Sequence, residues 1–162
     1  MDTIFVYDAI LAHWDDLPNV KIYYDVDYSG WAKRLDAVHV CLANVPIIPR
    51  LLLYDIVTLM PSGVPEIPRV GAVVQRYYGQ SVLVEYPVAN TQRATTRRYR
   101  ALVRALEARG CAIEGMIPGF AMVNAPAGCD LPAVLAAVAH ATRVPIRVWT
   151  SAAGTSAAGE KG

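Results

Sequence analysis

The chain has 162 residues, 54% of them hydrophobic, and a formal net charge of +1. This length suffices for a domain with its own core, and no apolar run is long enough to form a membrane-spanning helix. The three widely spaced cysteines argue against a disulfide framework, and the N-terminus lacks the features of a secretory signal. We therefore expect a cytoplasmic protein without membrane association.

The charge is unevenly distributed along the sequence. Residues 1–60 hold eight aspartates against four lysines and arginines, a net charge of −4. Residues 69–109 hold eight arginines against two glutamates, a net charge of +6. Such asymmetry is typical of proteins with charged partners, or of two halves that attract one another.

The first 80 residues have the composition of a mostly β segment. Short β-branched and aromatic runs predict strands over residues 3–7, 20–24, 37–42, 55–60 and 70–78. The pair Gly79-Gln80 predicts a hairpin between the last of these strands and a strand over 81–86. We expect this segment to pack as a small sheet or partial barrel, continuous with the rest of one globular domain.

From residue 81 onward strands and helices alternate. The predicted order is a strand over 81–86, a helix over 93–110, strands over 111–117 and 120–124, a helix from Asp130, and a strand over 144–149. This βαββαβ order predicts an α+β fold with a ferredoxin-like unit over about residues 81–149, within a region ending near residue 150. The small and polar residues 151–162 predict a disordered tail.

The helix over residues 93–110 is the most distinctly patterned element. At helical spacing it carries an apolar stripe and a basic stripe. The apolar stripe consists of Tyr99, Leu102, Val103 and Leu106, and the basic one of Arg93, Arg97, Arg100 and Arg104. Arg109 in the last turn and Gly110 as a left-handed stop indicate the end of the helix.

Several short motifs occur in a recognisable order. They are Asn44-Val45-Pro46, Asp55-Ile56-Val57, Gly110-Cys111, Val123-Asn124-Ala125-Pro126 and the helix start at Asp130. Over about residues 31–149 the chain thereby resembles an uncharacterised bacterial family, domain of unknown function 4265. That family has no established activity, so the resemblance supports the predicted fold and implies no catalytic residue.

An acidic motif follows the second predicted strand. Asp25, Asp27 and Ser29 with Gly30 and Asp36 occupy the first, third, fifth, sixth and twelfth positions of an EF-hand-like calcium loop. The flanking segments are predicted strands rather than helices, and the last ligand is Asp instead of Glu. We therefore favour an acidic turn, with calcium binding by Asp25, Asp27, Ser29 and Asp36 as the alternative, and we expect no cofactor.

Catalytic chemistry has little support in the sequence. His13, His39 and His140 are scattered, and none lies in a nucleophile–base motif. His39 and Cys41 share a predicted strand face but lack zinc-ligand spacing. An enzyme is therefore a less favoured class than a binding protein.

The leading hypothesis is a small non-enzymatic bacterial binding protein, an immunity protein that neutralises a toxin through an acidic, aromatic surface. The residues that we expect to bind this partner are Trp14, Asp15, Asp16, Asp25, Asp27, Tyr28 and Trp31. The alternative is a nucleic-acid-associated regulator whose contacts come from Arg93, Arg97, Arg100 and Arg104. An enzyme of unknown class is the further alternative.

Overall fold

The structure, a computed structural model, describes residues 4–48 and 50–152. Over these residues the chain is mixed α+β with mostly β content, arranged as two sheets and three helices. This confirms the predicted α+β class. The chain divides into two compact units, residues 1–77 and 78–162, whereas the sequence places the boundary after residue 80.

The N-terminal unit is built around a five-stranded barrel. Each strand pairs antiparallel with the next, and the fifth returns to run parallel to the first, which closes the barrel. Its elements are α1 (Tyr7–Ala12), a 3-10 turn (Trp14–Asp16), β1 (Asn19–Tyr23), β2 (Ser29–Arg34), β3 (His39–Leu42), β4 (Ile56–Met60) and β5 (Arg69–Gln75).

Aliphatic side chains fill the interior of the barrel. Ile22, Ala32, Val40 and Val57 have no exposed surface and belong to one core cluster. Burying one large aliphatic side chain contributes roughly 1.5–3 kcal/mol. Successive residues of a strand point to opposite faces, so the burial of Ala32 places Trp31 on the outside.

Four of the five strands predicted in this unit are confirmed, with shifted ends, as β1, β3, β4 and β5. The predicted strand over residues 3–7 is wrong in its described part, because α1 begins at Tyr7. Phe5 does not belong to either sheet. Its backbone N–H donates to Gln75 Oε1, and its carbonyl accepts from Gln75 Nε2. A glutamine side chain thus satisfies the backbone groups that a strand partner would take.

Strand β2 was not predicted, because Ser29, Gly30 and Lys33 weaken its β signal. Tertiary pairing determines it instead, since β2 bonds to β1 on one side and to β3 on the other. Gly30 is required by packing: a Cβ there would lie 2.0 Å from the Tyr24 hydroxyl oxygen.

The predicted hairpin at Gly79-Gln80 is wrong, because the strands on either side of it belong to different sheets. Gly79 has another role. Its N–H donates to the Ala125 carbonyl, and a Cβ at this position would lie 2.3 Å from the Ala127 methyl group. The glycine therefore allows the close approach of a neighbouring loop.

The C-terminal unit has the predicted βαββαβ element order. Its four strands form an antiparallel sheet in the order β7-β8-β6-β9. The elements are β6 (Gln80–Glu85), α2 (Gln92–Glu107), β7 (Ala112–Ile117), β8 (Phe120–Ala125), α3 (Leu131–Thr142) and β9 (Arg147–Ala152). The predicted tail lies outside the described residues from residue 153 onward, whereas residues 151 and 152 belong to β9.

Both long helices contribute to one core with the sheet. Leu102 and Leu106 of α2 and Leu135 and Val138 of α3 are buried with the sheet residues Val82, Val84, Ala121 and Val123. Asp130 caps α3 as predicted, because its Oδ1 accepts from Ala133 N at 3.2 Å. The Thr91 hydroxyl caps α2 by accepting from Ala94 N at 3.1 Å.

Helix α2 ends in a Schellman motif. Cys111 N donates to the Leu106 carbonyl at 3.1 Å, and Gly110 N donates to the Glu107 carbonyl at 3.0 Å. Gly110 has a φ of 77°, as the predicted left-handed stop requires. A side chain there would have open space around it, so only backbone strain favours glycine at this position.

We expect Gly110→Ala to lower the free energy of unfolding by about 1 kcal/mol, because alanine adopts a left-handed conformation at that cost. Urea unfolding followed by far-UV circular dichroism measures the change. Gly128→Ala is the matched control: Gly128 also has open space around it, and its φ is not positive. Equal losses in the two variants would contradict the backbone explanation.

Candidate functional sites

Six of the seven predicted partner-binding residues lie beyond the two ends of the β1–β2 pairing, and Trp31 lies at its middle, opposite Lys21. Asn19 pairs with Lys33 at one end of this hairpin, and Tyr23 pairs with Ser29 at the other. The Trp14–Asp16 turn precedes the first end, and the Asp25–Tyr28 turn joins the strands at the second. Five residues of strand span roughly 15 Å, so the structure does not bring the seven residues into one patch.

Trp14 is largely a packing residue. Its ring meets that of Tyr54 edge-on, with centroids 5.3 Å apart, and Lys33 Nζ lies 5.7 Å from its ring centroid. Lys33 is buried and donates from Nζ to the Leu17 carbonyl at 3.3 Å. The adjacent Asp15 and Asp16 are exposed.

Two aromatic side chains are partly exposed, one in the turn of the hairpin and one at the middle of β2. Tyr28 is 44% exposed and Trp31 is 51% exposed. The backbone of Trp31 is fixed: its N–H donates to Asn44 Oδ1 at 3.1 Å, and its carbonyl accepts from Ala43 N at 2.9 Å. A large aromatic side chain thus projects from the middle of a rigid strand, which begins directly after the acidic Asp25–Tyr28 turn.

The aspartates of this region stabilise turns. Asp25 Oδ1 accepts from the backbone N–H groups of Asp27 at 2.8 Å and Tyr28 at 2.9 Å, which makes an Asx turn. Asp36 Oδ1 accepts from Val38 N and His39 N in the β2–β3 turn. These hydrogen bonds lower the pKa of Asp36, and the bond from Val38 has the largest effect.

The structure does not assemble the candidate calcium loop. Asp25 precedes β2 and Asp36 follows it, whereas Ser29 is the first residue of this strand. Six extended residues span roughly 20 Å, so a single ion cannot be coordinated from both ends. Over residues 4–48 and 50–152, no group of three or more His, Cys, Asp and Glu side chains is placed to hold a metal ion.

His39 and Cys41 have separate partners. His39 Nδ1 lies 2.9 Å from Asp36 Oδ2, and the imidazole meets the Phe5 ring edge-on at 5.1 Å. Cys41 Sγ lies 3.5 Å from the Tyr54 carbonyl oxygen and is buried. Burial raises the pKa of the Cys41 thiol to about 12, so this group is a poor nucleophile at neutral pH.

The predicted basic stripe is present on the surface of α2. Arg93, Arg97, Arg100 and Arg104 are exposed, and they line a shallow groove of about 640 Å³ along the helix. None of the four guanidinium groups makes a hydrogen bond or ion pair with any other residue that the structure describes. From first to last the stripe spans roughly 16 Å along the helix axis.

A largely apolar cavity of about 520 Å³ lies beside the N-terminal end of α2. Tyr86 and Tyr99 stack in its wall at 6.1 Å, and the Tyr99 hydroxyl accepts from Gly115 N at 2.8 Å. Burial raises the pKa of Tyr99. The sequence assigned Tyr99 to the packing stripe of α2 and gave no signal for a cavity, because the β7–β8 turn that completes it is distant in sequence.

The most unusual ionisable group is Asp55, which begins the motif Asp55-Ile56-Val57 and for which the sequence predicted no site role. Its side chain has no exposed surface. Oδ2 accepts from Leu52 N at 2.9 Å and lies 3.7 Å from Arg76 Nη2, whereas Oδ1 has no hydrogen-bond partner among the described residues. Burial raises the pKa of Asp55 to about 6, against the opposing effects of the Leu52 hydrogen bond and of Arg76.

Comparisons with known proteins assign no function. No protein-family model matches the chain, and no curated protein matches it. A solved structure of a hypothetical protein from Neisseria gonorrhoeae is similar with a TM-score of 0.49 and 16% identity. The match covers 81% of this chain and 92% of that one. Among the described residues, no helix has both the length and the apolarity needed to cross a membrane.

The raised pKa of Asp55 predicts a stability that falls with rising pH. The folded protein retains a proton on Asp55 up to about pH 6, whereas the unfolded chain loses it near pH 4. This group therefore favours folding most below about pH 4, and the advantage, up to about 3 kcal/mol, is lost as pH rises through 6. We expect Asp55→Asn to unfold at higher urea concentration than the wild type at about pH 7.5 and to lose this part of the pH dependence.

Asp36→Asn is the matched control, because we expect its effect on stability at neutral pH to have the opposite sign. The pKa of Asp36 is lowered on folding, so its contribution is present at neutral pH and is lost in acid. The control variant should therefore be less stable than the wild type at neutral pH. A pH dependence in Asp55→Asn equal to that of the wild type would contradict the assignment of a raised pKa to Asp55.

Proposed function

We propose that this chain is a non-enzymatic bacterial immunity protein that binds and neutralises a toxin through the Asp25–Trp31 segment of its barrel. The observation that carries the proposal is the half-exposed Trp31, held on the rigid strand that follows an acidic turn. Tryptophan and tyrosine are the residues that most often dominate protein–protein binding energy.

Burial of the exposed aromatic rings by a partner would be favourable. Trp31 and Tyr28 leave apolar ring surface in water, and its burial is favourable at roughly 25 cal/mol per Å². Because strand pairing fixes the backbone of β2 on both sides, burial of Trp31 by a partner would order few further groups. Preorganisation of this kind strengthens binding.

Charge supports a basic partner. Residues 1–77 carry nine acidic against six basic side chains, a net charge of −3. Asp25 and Asp27 lie within the aromatic segment, and Asp15 and Asp16 form a second exposed acidic pair beyond the other end of β1. Acidic side chains accelerate association with a basic surface, such as the substrate cleft of a nuclease toxin.

We also propose a fold for the C-terminal unit and a family for the chain. We propose that residues 78–152 form a ferredoxin-like unit, since their element order and their strand order β7-β8-β6-β9 suit that arrangement. Membership of the domain of unknown function 4265 family and a cytoplasmic location are likewise proposals, which rest on the sequence motifs and on the composition.

The direct test is binding to a toxin, which we expect a neighbouring gene to encode. We expect its purified toxic domain to form a one-to-one complex with the full chain, and Trp31→Ala to weaken the complex by at least tenfold. Isothermal titration calorimetry measures the affinity. Trp149→Ala is the matched control, because Trp149 is equally exposed, at 54%, and lies in the other unit. Equal affinity of wild type and Trp31→Ala would contradict the proposed surface.

The second candidate function is nucleic-acid binding by α2. It is favoured by the four exposed arginines of the basic stripe, whose positive charge no described acidic side chain neutralises. Residues 78–162 carry nine basic against five acidic side chains, a net charge of +4. Phosphate groups would release counterions on binding such a stripe.

If this candidate is right, the double variant Arg97→Ala/Arg100→Ala should weaken binding to single-stranded and double-stranded oligonucleotides. The slope of log affinity against log salt concentration should fall in magnitude by about 1 for each arginine that contacts a phosphate. Fluorescence anisotropy at several salt concentrations measures both effects. The control is Arg147→Ala, since this arginine lies over the Trp149 ring instead. Absence of binding at low salt would rule out the candidate.

A further inference from the structure

The apolar cavity beside α2 and the basic stripe on the surface of this helix adjoin one another. Gln92 and Thr96 line both the cavity and the arginine groove. Residues three and four positions apart are neighbours on a helix surface. Arg93 and Arg100, three residues before and four residues after Thr96, therefore lie next to the edge of the cavity that Thr96 forms.

The cavity has the size and lining of a small-molecule site. Such sites have volumes of roughly 300–1,000 Å³ and are mostly apolar, with a few polar groups that orient the ligand. This cavity has a volume of about 520 Å³. Val88, Met116 and Ile117 line it and are all exposed to solvent. Their burial against an apolar ligand would be favourable.

Two tyrosine rings give the cavity a rigid wall. Tyr86 is buried and stacks on Tyr99, whose hydroxyl accepts from Gly115 N at 2.8 Å. A Cβ at Gly115 would lie 3.3 Å from Tyr99 Cζ, so α2 and β7 approach closely here. The wall is therefore in place before a ligand binds. Its tyrosine rings and the thioether of Met116 interact favourably with aromatic groups.

The charges at the edge of the cavity favour an anionic ligand. Among the described residues, none that lines the cavity or the groove is acidic. Arg93 and Arg100 lie roughly 4.5 Å and 6 Å from Thr96 along the helix axis, within reach of one group bound beside it. Arginine donates paired hydrogen bonds to phosphate oxygens. A phosphate monoester, with a charge of roughly −2 at neutral pH, matches two guanidinium groups.

We propose that the cavity and the adjacent end of the basic stripe form one binding site for a small aromatic phosphate monoester. The aromatic body occupies the cavity, and the phosphate lies beside Thr96 between Arg93 and Arg100. This inference is independent of the proposed toxin-binding surface, which belongs to the other unit. It also differs from the nucleic-acid candidate, which uses the whole stripe as far as Arg104.

The test is isothermal titration calorimetry of the full chain with three compounds. α-Naphthyl phosphate carries both an aromatic body and a phosphate, whereas α-naphthol has only the aromatic body and inorganic phosphate only the anion. We expect α-naphthyl phosphate to bind one to one and about tenfold more tightly than either of the others. Absence of binding, or equal affinity for α-naphthyl phosphate and either simpler compound, would overturn the proposal.

Substitutions at exposed positions test the two parts of the site separately. Arg100→Ala should weaken binding of α-naphthyl phosphate by about tenfold, because one phosphate contact is lost. Ile117→Asn should weaken it by about fivefold, because apolar surface at the cavity is lost.

Arg104→Ala is the matched control for the arginine. Arg104 is exposed in the same stripe, but it lies roughly 12 Å from Thr96 along the helix axis. Its replacement should change the affinity by less than about twofold. A loss in Arg104→Ala as large as that in Arg100→Ala, or an unaltered affinity in Arg100→Ala or Ile117→Asn, would overturn the proposal.

Discussion

Closure of the five-stranded barrel is the constraint on which the functional account depends. Ile22, Ala32 and Val57 fill its interior without exposed surface, so the alternation of β2 leaves Trp31 on the outside. A one-residue shift of β2 would bury Trp31 but would expose the core face of the strand. The exposed tryptophan is therefore fixed by the same pairing that stabilises the fold.

Helix α2 shows how packing and surface charge are separated within one element. Its buried face contributes Leu102 and Leu106 to the core of the C-terminal unit, with no exposed surface on either side chain. Its basic stripe places like charges three and four residues apart, which costs a few tenths of a kcal/mol for each pair. The free energy gained by burying the two leucine side chains exceeds this repulsion several-fold. The helix therefore tolerates a basic surface whose charge is not neutralised.

Local sequence signals predicted much of the C-terminal unit. Periodicity located both long helices, Asp130 marked the start of α3, and Gly110 marked the end of α2, because caps and amphipathic stripes are properties of short segments. The N-terminal unit was predicted less well. Strand β2 depends on pairing with β1 and β3, and the backbone of Phe5 is satisfied by the side chain of the distant Gln75.

The same distinction applies to the candidate sites. The exposure of the arginine stripe and of Tyr28 and Trp31 could be anticipated from sequence, whereas the division of the acidic residues between two ends of a hairpin could not. The calcium motif has the residue spacing of an EF-hand loop, but its residues lie along and beyond the two ends of β2. The burial of Asp55 beside Arg76 involves residues distant in sequence, which spacing alone does not bring together.

Hydrogen–deuterium exchange of the full chain, with and without its proposed toxin partner, distinguishes the barrel surface from the basic stripe. Binding through the barrel should slow exchange of the backbone amides from Asp25 to Trp31, while the amides of α2 exchange at unchanged rates. Protection confined to α2, or an unchanged exchange pattern in a verified complex, would contradict the assignment of the partner surface to the barrel.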